Sequence, residues 1–346
     1  MKILTVRPPG PFFFTPLKAH WFKSNNYFWP KVIVPIFMKP NLVVVTGPTA
    51  IGKTSVSISI AQHFGTEIIS ADSRQLFREM VIGTAVPDHD ELMLVPHHFI
   101  HTQSIFDYYN ASRFELEVLE KLSLLFKKND LVVMTGGSML YIDAVCNGID
   151  DLPAIDFRIR EQVIEQFHNE GLEPLKAELK TLDPEYYSQV DLKNPKRIMH
   201  AIEICRMTGK TFTSFRTNKK KERPFDLIKI GLTASREILY DRINRRVEAM
   251  IEAGLEEEAK RLFEHRENNA LNTVGYREWF EHFEGSITRE EAIEKIKSNT
   301  RRYARKQQTW FKRDQDIRWF DISDKDLIIP AILQKMNNPW KKQENL

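Results

Sequence analysis

The sequence predicts an α/β fold in which a parallel sheet, flanked by helices, is interrupted by a mostly helical insertion. Three observations favour this class. A β-branched run at 43–45 leads into a loop and then into a helical segment that ends before Gly65. Short apolar runs at 66–70, 131–134 and 225–232 are typical of buried strands. The 346 residues, 42% hydrophobic and 28% charged, are enough for a large core.

The loop after the first predicted strand has the P-loop pattern and reads Gly47-Pro48-Thr49-Ala50-Ile51-Gly52-Lys53-Thr54. Its glycines let backbone N–H groups point inward, the following helix adds the positive end of its dipole, and Lys53 supplies a cation. The Thr54 hydroxyl is placed to bind a Mg²⁺ ion that bridges phosphate oxygens. The pattern therefore predicts a di- or triphosphate site with Mg²⁺ on a P-loop NTPase-like core, without indicating the reaction.

The second predicted strand, 66–70, is followed by Ala71-Asp72-Ser73-Arg74-Gln75. Side chains just past the carboxyl ends of parallel strands line the crevice where ligands bind, and the P-loop opens onto the same edge. Asp72 is therefore expected to face the phosphate site. Three roles remain possible for Asp72: a general base, a Mg²⁺ ligand acting through water, or the N-cap of a following helix.

Composition predicts the domain boundaries. Residues 1–37 are rich in proline and aromatic residues without periodicity, so we expect an extension that is disordered or not native, with Met38 as the natural start. Residues 38–149 are the first part of the core, 150–223 the helical insertion, and 224–325 the second part of the core with a basic helix. Residues 326–346 are expected to be a tail.

Charge and cysteine content restrict the function classes. The balance of 50 Lys and Arg against 47 Asp and Glu gives only +3, so net charge does not predict a nucleic-acid partner. Cys146 and Cys205 are far apart and lack metal-ligand spacing, which predicts a cytoplasmic protein without disulfides or structural zinc. Residues 1–37 lack the continuous apolar core of a signal peptide or membrane span, and no membrane partner is expected.

Two predicted helices carry basic faces. Ser235 opens a helix through Met250 with Arg242 and Arg246 four residues apart on one face. A second helix, around 299–313, has a polar face and an apolar face. The polar face carries Arg302, Arg305, Lys306, Thr309 and Arg313, and the apolar face carries Tyr303, Gln307, Trp310 and Phe311. Basic stripes follow phosphates, whereas the apolar face is expected to pack in the core.

Motifs along the chain, taken with the P-loop, resemble the tRNA dimethylallyltransferase (isopentenyltransferase) family from about residue 38 to 320. The motifs are Ile69-Ser70-Ala71-Asp72-Ser73-Arg74-Gln75, Gly83-Thr84-Ala85, Pro96-His97-His98, Gly136-Gly137-Ser138, Asn194-Pro195-Lys196-Arg197, Gly275-Tyr276-Arg277 and Thr300-Arg301-Arg302-Tyr303-Ala304-Arg305-Lys306-Gln307. The Cys/His pairs of the eukaryotic zinc finger are absent, as in the bacterial form. The family transfers a dimethylallyl group from its diphosphate to the exocyclic amine of the adenosine 3′ of the anticodon.

The resemblance implies roles for individual residues. The diphosphate is held by Gly47, Pro48, Thr49, Ala50, Ile51, Gly52, Lys53, Thr54 and Arg246, with Mg²⁺ on Thr54, and Asp72 accepts the proton of the attacking amine. The tRNA contacts are expected at Asp72, Ser73, Arg74, Gln75, Ser138, Arg158, Lys196, Arg197, Ile198, Met199 and His200. The family more often has Arg where His200 stands. The expected partners are the tRNA anticodon stem-loop and dimethylallyl diphosphate, with the protein acting as a monomer.

Other functions remain open at this stage. A P-loop small-molecule kinase would use the same loop with ATP, but no acidic residue follows the strand that ends at Met134. An adenylate isopentenyltransferase acting on free nucleotides would use the same donor site, and a noncatalytic nucleic-acid-binding module would not need it. A metal site at His97, His98 and His101 is disfavoured, because no further ligand with recognisable spacing accompanies them.

Overall fold

The computed structural model describes residues 39–337 except 151, 154 and 218, so the predicted extension at 1–37 lies outside the described residues. Within this range a parallel sheet is built from β1 (Asn41–Thr46), β2 (Ile68–Ser70), β3 (His97–His98), β4 (Leu131–Thr135), β5 (Asp226–Thr233) and β6 (Ile317–Asp321). The strand order is β3-β2-β4-β1-β5-β6, and every pair is parallel. The predicted α/β class with a parallel core is confirmed.

The central strand β1 pairs with β4 on one side and with β5 on the other, Asn41 lying opposite both Leu131 and Asp226. Residues 42–45 of β1 alternate between two hydrophobic clusters, one on each face of the sheet. A strand buried on both faces needs an unbroken apolar run, and this is the pattern at 42–45. The carboxyl ends of the parallel strands therefore share one edge, where the P-loop begins.

The first part of the core contains α1 (Lys53–Phe64), α2 (His89–Leu94), α3 (Ala111–Leu125) and α4 (Met139–Asn147). Helix α1 ends at Phe64, as predicted. The side chain of Asn110 caps α3 by accepting from the Arg113 backbone N–H at 2.9 Å. Helix α2 begins with a capping box between Asp88 and Glu91.

Between α4 and β5 the chain is helical, with α5 (Phe157–Glu170), α6 (Leu172–Leu182), α7 (Pro184–Gln189) and α8 (Pro195–Thr208). These helices occupy the range predicted as the insertion and bury a hydrophobic cluster of their own, which includes Val163, Leu175 and Ile202. Both α7 and α8 begin with proline after a capping residue, Asp183 or Asn194.

The second part of the core contains α9 (Arg236–Glu252), α10 (Leu255–Leu262), α11 (Arg277–Phe283) and α12 (Arg289–Phe311). The predicted start of α9 is confirmed, because Ser235 accepts from the Ile238 backbone N–H and caps the helix. Helix α12 begins at Arg289, earlier than the predicted 299, because Thr288 and Glu291 form a capping box.

The chain after β6 corrects one expectation. Residues 328–337 form α13 (Ile328–Asn337), so the prediction of a tail over 326–346 is wrong for this segment. The reason is apolar spacing: Ile328, Ala331 and Ile332 lie on one helical face and are buried against the sheet. Of the helices in the described part of the chain, none combines the length and hydrophobicity needed to cross a membrane.

Candidate functional site

The loop between β1 and α1 has the geometry of a phosphate cradle. Gly47 has φ +145°, and a Cβ there would lie 2.8 Å from the Leu232 carbonyl oxygen, so the tight turn requires glycine. Gly52 has φ +104° and places the start of α1 behind the loop. The Lys53 ammonium donates to the carbonyl oxygens of Gly47 at 3.1 Å and Pro48 at 2.9 Å.

A cavity of about 510 Å³ opens at this edge of the sheet. Its lining includes predicted site residues from separate parts of the chain. They are Thr49, Ala50, Gly52, Lys53, Thr54, Asp72, Gln75 and Arg246. The loop, the end of β2 and helix α9 thus meet where the sheet topology predicts, at the carboxyl ends of the strands.

The cavity is strongly basic on the side of α9. Arg242, Arg245 and Arg246 line it together with Lys53. The Arg246 guanidinium donates to the Thr49 hydroxyl at 3.4 Å, and Arg242 Nε donates to the Ala50 carbonyl at 2.9 Å. Only Arg246 is predicted at the site, and Arg242, four residues earlier on the same helical face, is a second arginine that this spacing indicates.

Burial lowers the pKa of Lys53 to about 8, with a smaller lowering from Arg246 that Asp72 opposes. Burial also lowers the pKa of the Arg246 guanidinium, again against the attraction of Asp72. Closely spaced, desolvated cations of this kind are stabilised when a polyanion binds among them. The electrostatics therefore suit a diphosphate or triphosphate.

Asp72 lines the same cavity as the arginines of α9 and has a structural contact as well. Its Oδ1 accepts from the Arg74 backbone N–H at 3.0 Å, which closes a turn. No helix follows, so the N-cap alternative is wrong, because residues 73–75 form turns. Burial lowers the pKa of the neighbouring Arg74 guanidinium, while Tyr141, Asp72 and Tyr303 oppose that shift.

Ser73 and Ser138 join the two strand ends. The Ser138 hydroxyl accepts from the Ser73 backbone N–H at 2.7 Å and donates to the Ser73 hydroxyl at 2.9 Å. Ser138 is 8% exposed. Gln75 also supports the site: its amide contacts the Ser70 hydroxyl at 3.1 Å and donates to the Ala85 carbonyl at 3.0 Å.

The predicted tRNA contacts of the insertion do not line this cavity. Lys196 and Arg197 are exposed in the first turn of α8, and Arg158 is exposed in the first turn of α5. Ile198 is fully buried in the insertion's hydrophobic cluster, so its side chain packs inside the protein and its contact with tRNA stays a prediction. The reason is helical periodicity, which turns one residue of the run 196–200 inward.

The last two residues of that run are partly buried. Met199 packs against the insertion's cluster. His200 lies 3.4 Å from the Glu203 carboxylate and packs edge-on against the Phe212 ring at 5.7 Å. These contacts hold His200 on the protein, while Lys196 and Arg197 leave their charges in solvent.

Oxygen donors for a metal ion are present beside the cations. Thr54 and Asp72 line the same cavity, and a hydroxyl with a nearby carboxylate suits Mg²⁺, whose other ligands are phosphate oxygens and water. In the described residues no group of three or more His, Cys, Asp or Glu side chains is arranged as a metal site. His98 instead contacts Glu67 at 2.6 Å, and His97 Nδ1 bonds the Val95 carbonyl at 2.8 Å.

Helix α12 contributes Gln307, a residue of its predicted core-packing face, to the phosphate loop. Gln307 is 1% exposed and accepts from the Thr49 backbone N–H at 2.8 Å. The packing predicted for this face is confirmed for Phe311, which is buried, and Trp310 donates to Asp143 at 2.9 Å. The basic face is exposed at Arg302, Arg305, Lys306, Thr309 and Arg313.

Comparison with known proteins agrees with this geometry. A model of the IPP transferase family matches residues 75–314. tRNA dimethylallyltransferase 1 of Phocaeicola vulgatus is 57% identical over 283 residues, 82% of this chain and 94% of that relative. tRNA dimethylallyltransferase 1 of Bacteroides fragilis is 57% identical over 279 residues, 81% of this chain and 93% of that relative.

Solved structures agree as well. The full-length tRNA isopentenylpyrophosphate transferase of Bacillus halodurans has a TM-score of 0.64 at 33% identity and covers 86% of this chain and 97% of its own. A eukaryotic dimethylallyltransferase acting on tRNA has a TM-score of 0.71 at 23% identity, covers 88% of this chain and 81% of its own, and supports the fold alone. The chain therefore belongs to the IPP transferase family, in its bacterial form.

Proposed function

We propose that the protein transfers a dimethylallyl group from dimethylallyl diphosphate to the exocyclic amine of the adenosine 3′-adjacent to the anticodon in tRNA. The observation that carries the proposal is the shared cavity, in which a phosphate loop and arginines stand beside Asp72. Family membership supplies the substrate class, because the relatives at 57% identity are named tRNA dimethylallyltransferases.

The donor end of the reaction needs positive charge. Breaking the allylic carbon–oxygen bond leaves the electron pair on the diphosphate, whose charge grows as the bond lengthens. Lys53, Arg246 and the N–H groups of the loop are arranged to stabilise that charge. When bound, Mg²⁺ would neutralise further charge on the diphosphate, held by the Thr54 hydroxyl and by phosphate oxygens.

The acceptor end needs a base. The adenosine amine forms the new carbon–nitrogen bond and loses a proton, which we assign to the Asp72 carboxylate. The Arg74 backbone N–H fixes this carboxylate through Oδ1, so the second oxygen is available for the amine. An amine within a stacked anticodon loop is out of reach, so the base must be turned out of the loop to meet Asp72.

The insertion and α12 supply charge for the RNA backbone in this proposal. Lys196 and Arg197 at the start of α8, with Arg158 on α5, are exposed and would contact phosphates of the anticodon stem-loop. In the same proposal, residues 150–223 form the tRNA-contacting insertion between the two parts of the core. We further propose that the protein acts as a monomer in the cytoplasm, where its tRNA substrates are.

Mass spectrometry of unmodified tRNA tests the proposal directly. The tRNA is incubated with the protein, Mg²⁺ and dimethylallyl diphosphate, with ATP or AMP in parallel reactions. We expect a dimethylallyl mass gain on the adenosine next to the anticodon, only with the prenyl donor. Prenylation of AMP alone would establish the free-nucleotide enzyme, and phosphate transfer from ATP to a small molecule would establish a kinase.

A further inference from the structure

We propose that Gln307 is a positioning residue for the transfer step, which fixes the distance between the phosphate loop and the segment that carries Asp72. The inference rests on the proposed function. Gln307 is not among the residues that line the cavity, so it acts through the groups it holds.

Both ends of the Gln307 amide are used. Oε1 accepts from the Thr49 backbone N–H at 2.8 Å, and Nε2 donates to the Gly137 carbonyl at 2.9 Å. These partners lie 258 and 170 residues away in sequence. A buried amide with one accepting and one donating end is satisfied here in only one orientation, so a carboxylate or an apolar side chain does not replace it.

The Gly137 end connects Gln307 to the acceptor side of the cavity. A Cβ on Gly137 would lie 2.5 Å from Gln307 Nε2 and 3.9 Å from Asp72 Oδ2, so the amide and the carboxylate both approach this glycine. The neighbouring Ser138 N–H donates to the Ala71 carbonyl at 3.3 Å, one residue before Asp72. A shift of the turn at Gly137 is therefore passed to Asp72.

The Thr49 end connects Gln307 to the donor side. Thr49 lines the cavity, and its hydroxyl accepts from Arg246. The reacting carbon is tethered to the diphosphate on this side, and the amine meets Asp72 on the other. Transfer between two such groups is sensitive to separation, and a misplacement of about 1 Å costs on the order of 100-fold in rate. Gln307 spans this separation with a single rigid amide.

Gln307→Met tests the role in the full chain, because methionine has similar length and makes neither hydrogen bond. Single-turnover transfer to an anticodon stem-loop is measured at saturating dimethylallyl diphosphate, and binding of inorganic diphosphate with Mg²⁺ is measured separately. We expect transfer to fall roughly 10- to 100-fold while the diphosphate Kd stays within about threefold. Gln308→Met, the adjacent residue on α12, should keep the wild-type rate.

Gln307→Glu adds a pH readout that a merely structural role would not produce. A protonated carboxyl donates to the Gly137 carbonyl, whereas a carboxylate does not. The loss of transfer in Gln307→Glu, relative to wild type at the same pH, should therefore grow as pH rises. In Gln307→Met the relative loss should be the same at every pH.

The outcomes separate the two proposals. If wild type does not prenylate the stem-loop, the proposed function fails. If wild type is active and Gln307→Met matches its rate, only the positioning role is overturned. A rate loss fully accounted for by weaker diphosphate binding, or by a lower folded fraction in thermal unfolding, would also overturn it.

Discussion

The Lys53 ammonium donates to the Pro48 carbonyl oxygen at 2.9 Å, so the cation of the phosphate loop is held by the loop's own backbone. It also donates to the Gly47 carbonyl at 3.1 Å. These two hydrogen bonds orient the Lys53 ammonium across the loop before phosphate binds. Burial of Lys53 also has a measurable consequence, because it lowers the pKa of the ammonium to about 8.

Binding of the prenyl diphosphate should weaken as pH rises above 8. Lys53 is protonated below this pH and neutral above it, and the neutral amine does not attract phosphate. If only the protonated form binds, the Kd should rise about tenfold between pH 7 and pH 9. Isothermal titration measures it. Lys53→Arg, which stays charged throughout, should retain only the pH dependence of the ligand, and equal profiles for both proteins would contradict the assignment.

Asp72→Asn should abolish most transfer and keep diphosphate binding. Asparagine retains an oxygen for the Arg74 backbone N–H but does not accept the amine proton. Losing a general base costs about 10²- to 10⁴-fold in rate, which single-turnover kinetics would detect. Asp72→Ala should lose transfer similarly and in addition unfold more easily, since the turn loses its acceptor. Near-normal turnover of Asp72→Asn would remove this residue from proton transfer.

Arg246→Ala should weaken donor binding. The guanidinium is half-buried beside the phosphate loop, and a lost hydrogen bond to a charged group is worth roughly 1.5–3 kcal/mol, or about 10- to 150-fold in Kd. Arg261→Ala, which removes an exposed arginine from α10, is the matched control and should bind normally. An equal effect of the two substitutions would mean that only overall charge matters.

Replacing Lys196 and Arg197 together by alanine should weaken tRNA binding without changing the diphosphate Kd. If both contact phosphates, the slope of log K against log salt should become shallower by about 1.4 to 1.8. Filter binding of the stem-loop over a salt series measures this slope. Lys180→Ala, on α6, should leave it unchanged, and an unaltered slope in the double variant would place the RNA elsewhere.

Ile198→Val should affect folding rather than RNA binding. The side chain is fully buried in the insertion, and trimming one methyl group costs about 0.5–1.5 kcal/mol of unfolding free energy. Urea unfolding gives this value, and the tRNA Kd of the folded variant should equal that of wild type. A specific loss of tRNA affinity with unchanged stability would instead show that the Ile198 side chain takes part in RNA binding.

The elements around the phosphate loop could be predicted because their signals are local. The strand before Gly47 and the helix that ends at Phe64 follow from periodicity and from turn residues. The place of Arg246 at the loop is implied by the family resemblance, and in the structure its guanidinium donates to the Thr49 hydroxyl at 3.4 Å.

Long-range contacts could not be predicted in the same way. Gln307 looks like a residue of a core-packing face until its partners, 258 and 170 residues away, are known. His97 and His98 do not belong to any of the predicted strands, yet they pair with Ile68 and Ile69 as an edge strand. Residues 196–200 form a contiguous motif in the sequence, but the helix turns the Ile198 side chain into the protein interior while Lys196 and Arg197 remain exposed.

The pairing of β1 with both β4 and β5 has a consequence for synthesis on the ribosome. A nascent chain that ends before residue 226 leaves β1 with one of its two neighbours, and the loop still lacks Arg246 and Gln307. Domains fold as their parts emerge, and pairings that close long loops form late. The helices of the insertion emerge after β4 and before β5, and they bury a hydrophobic cluster of their own. The phosphate loop therefore gains all its contacts only after nearly the whole chain has been made. A prematurely released chain contains the loop sequence but lacks the contacts of Arg246 and Gln307 with Thr49.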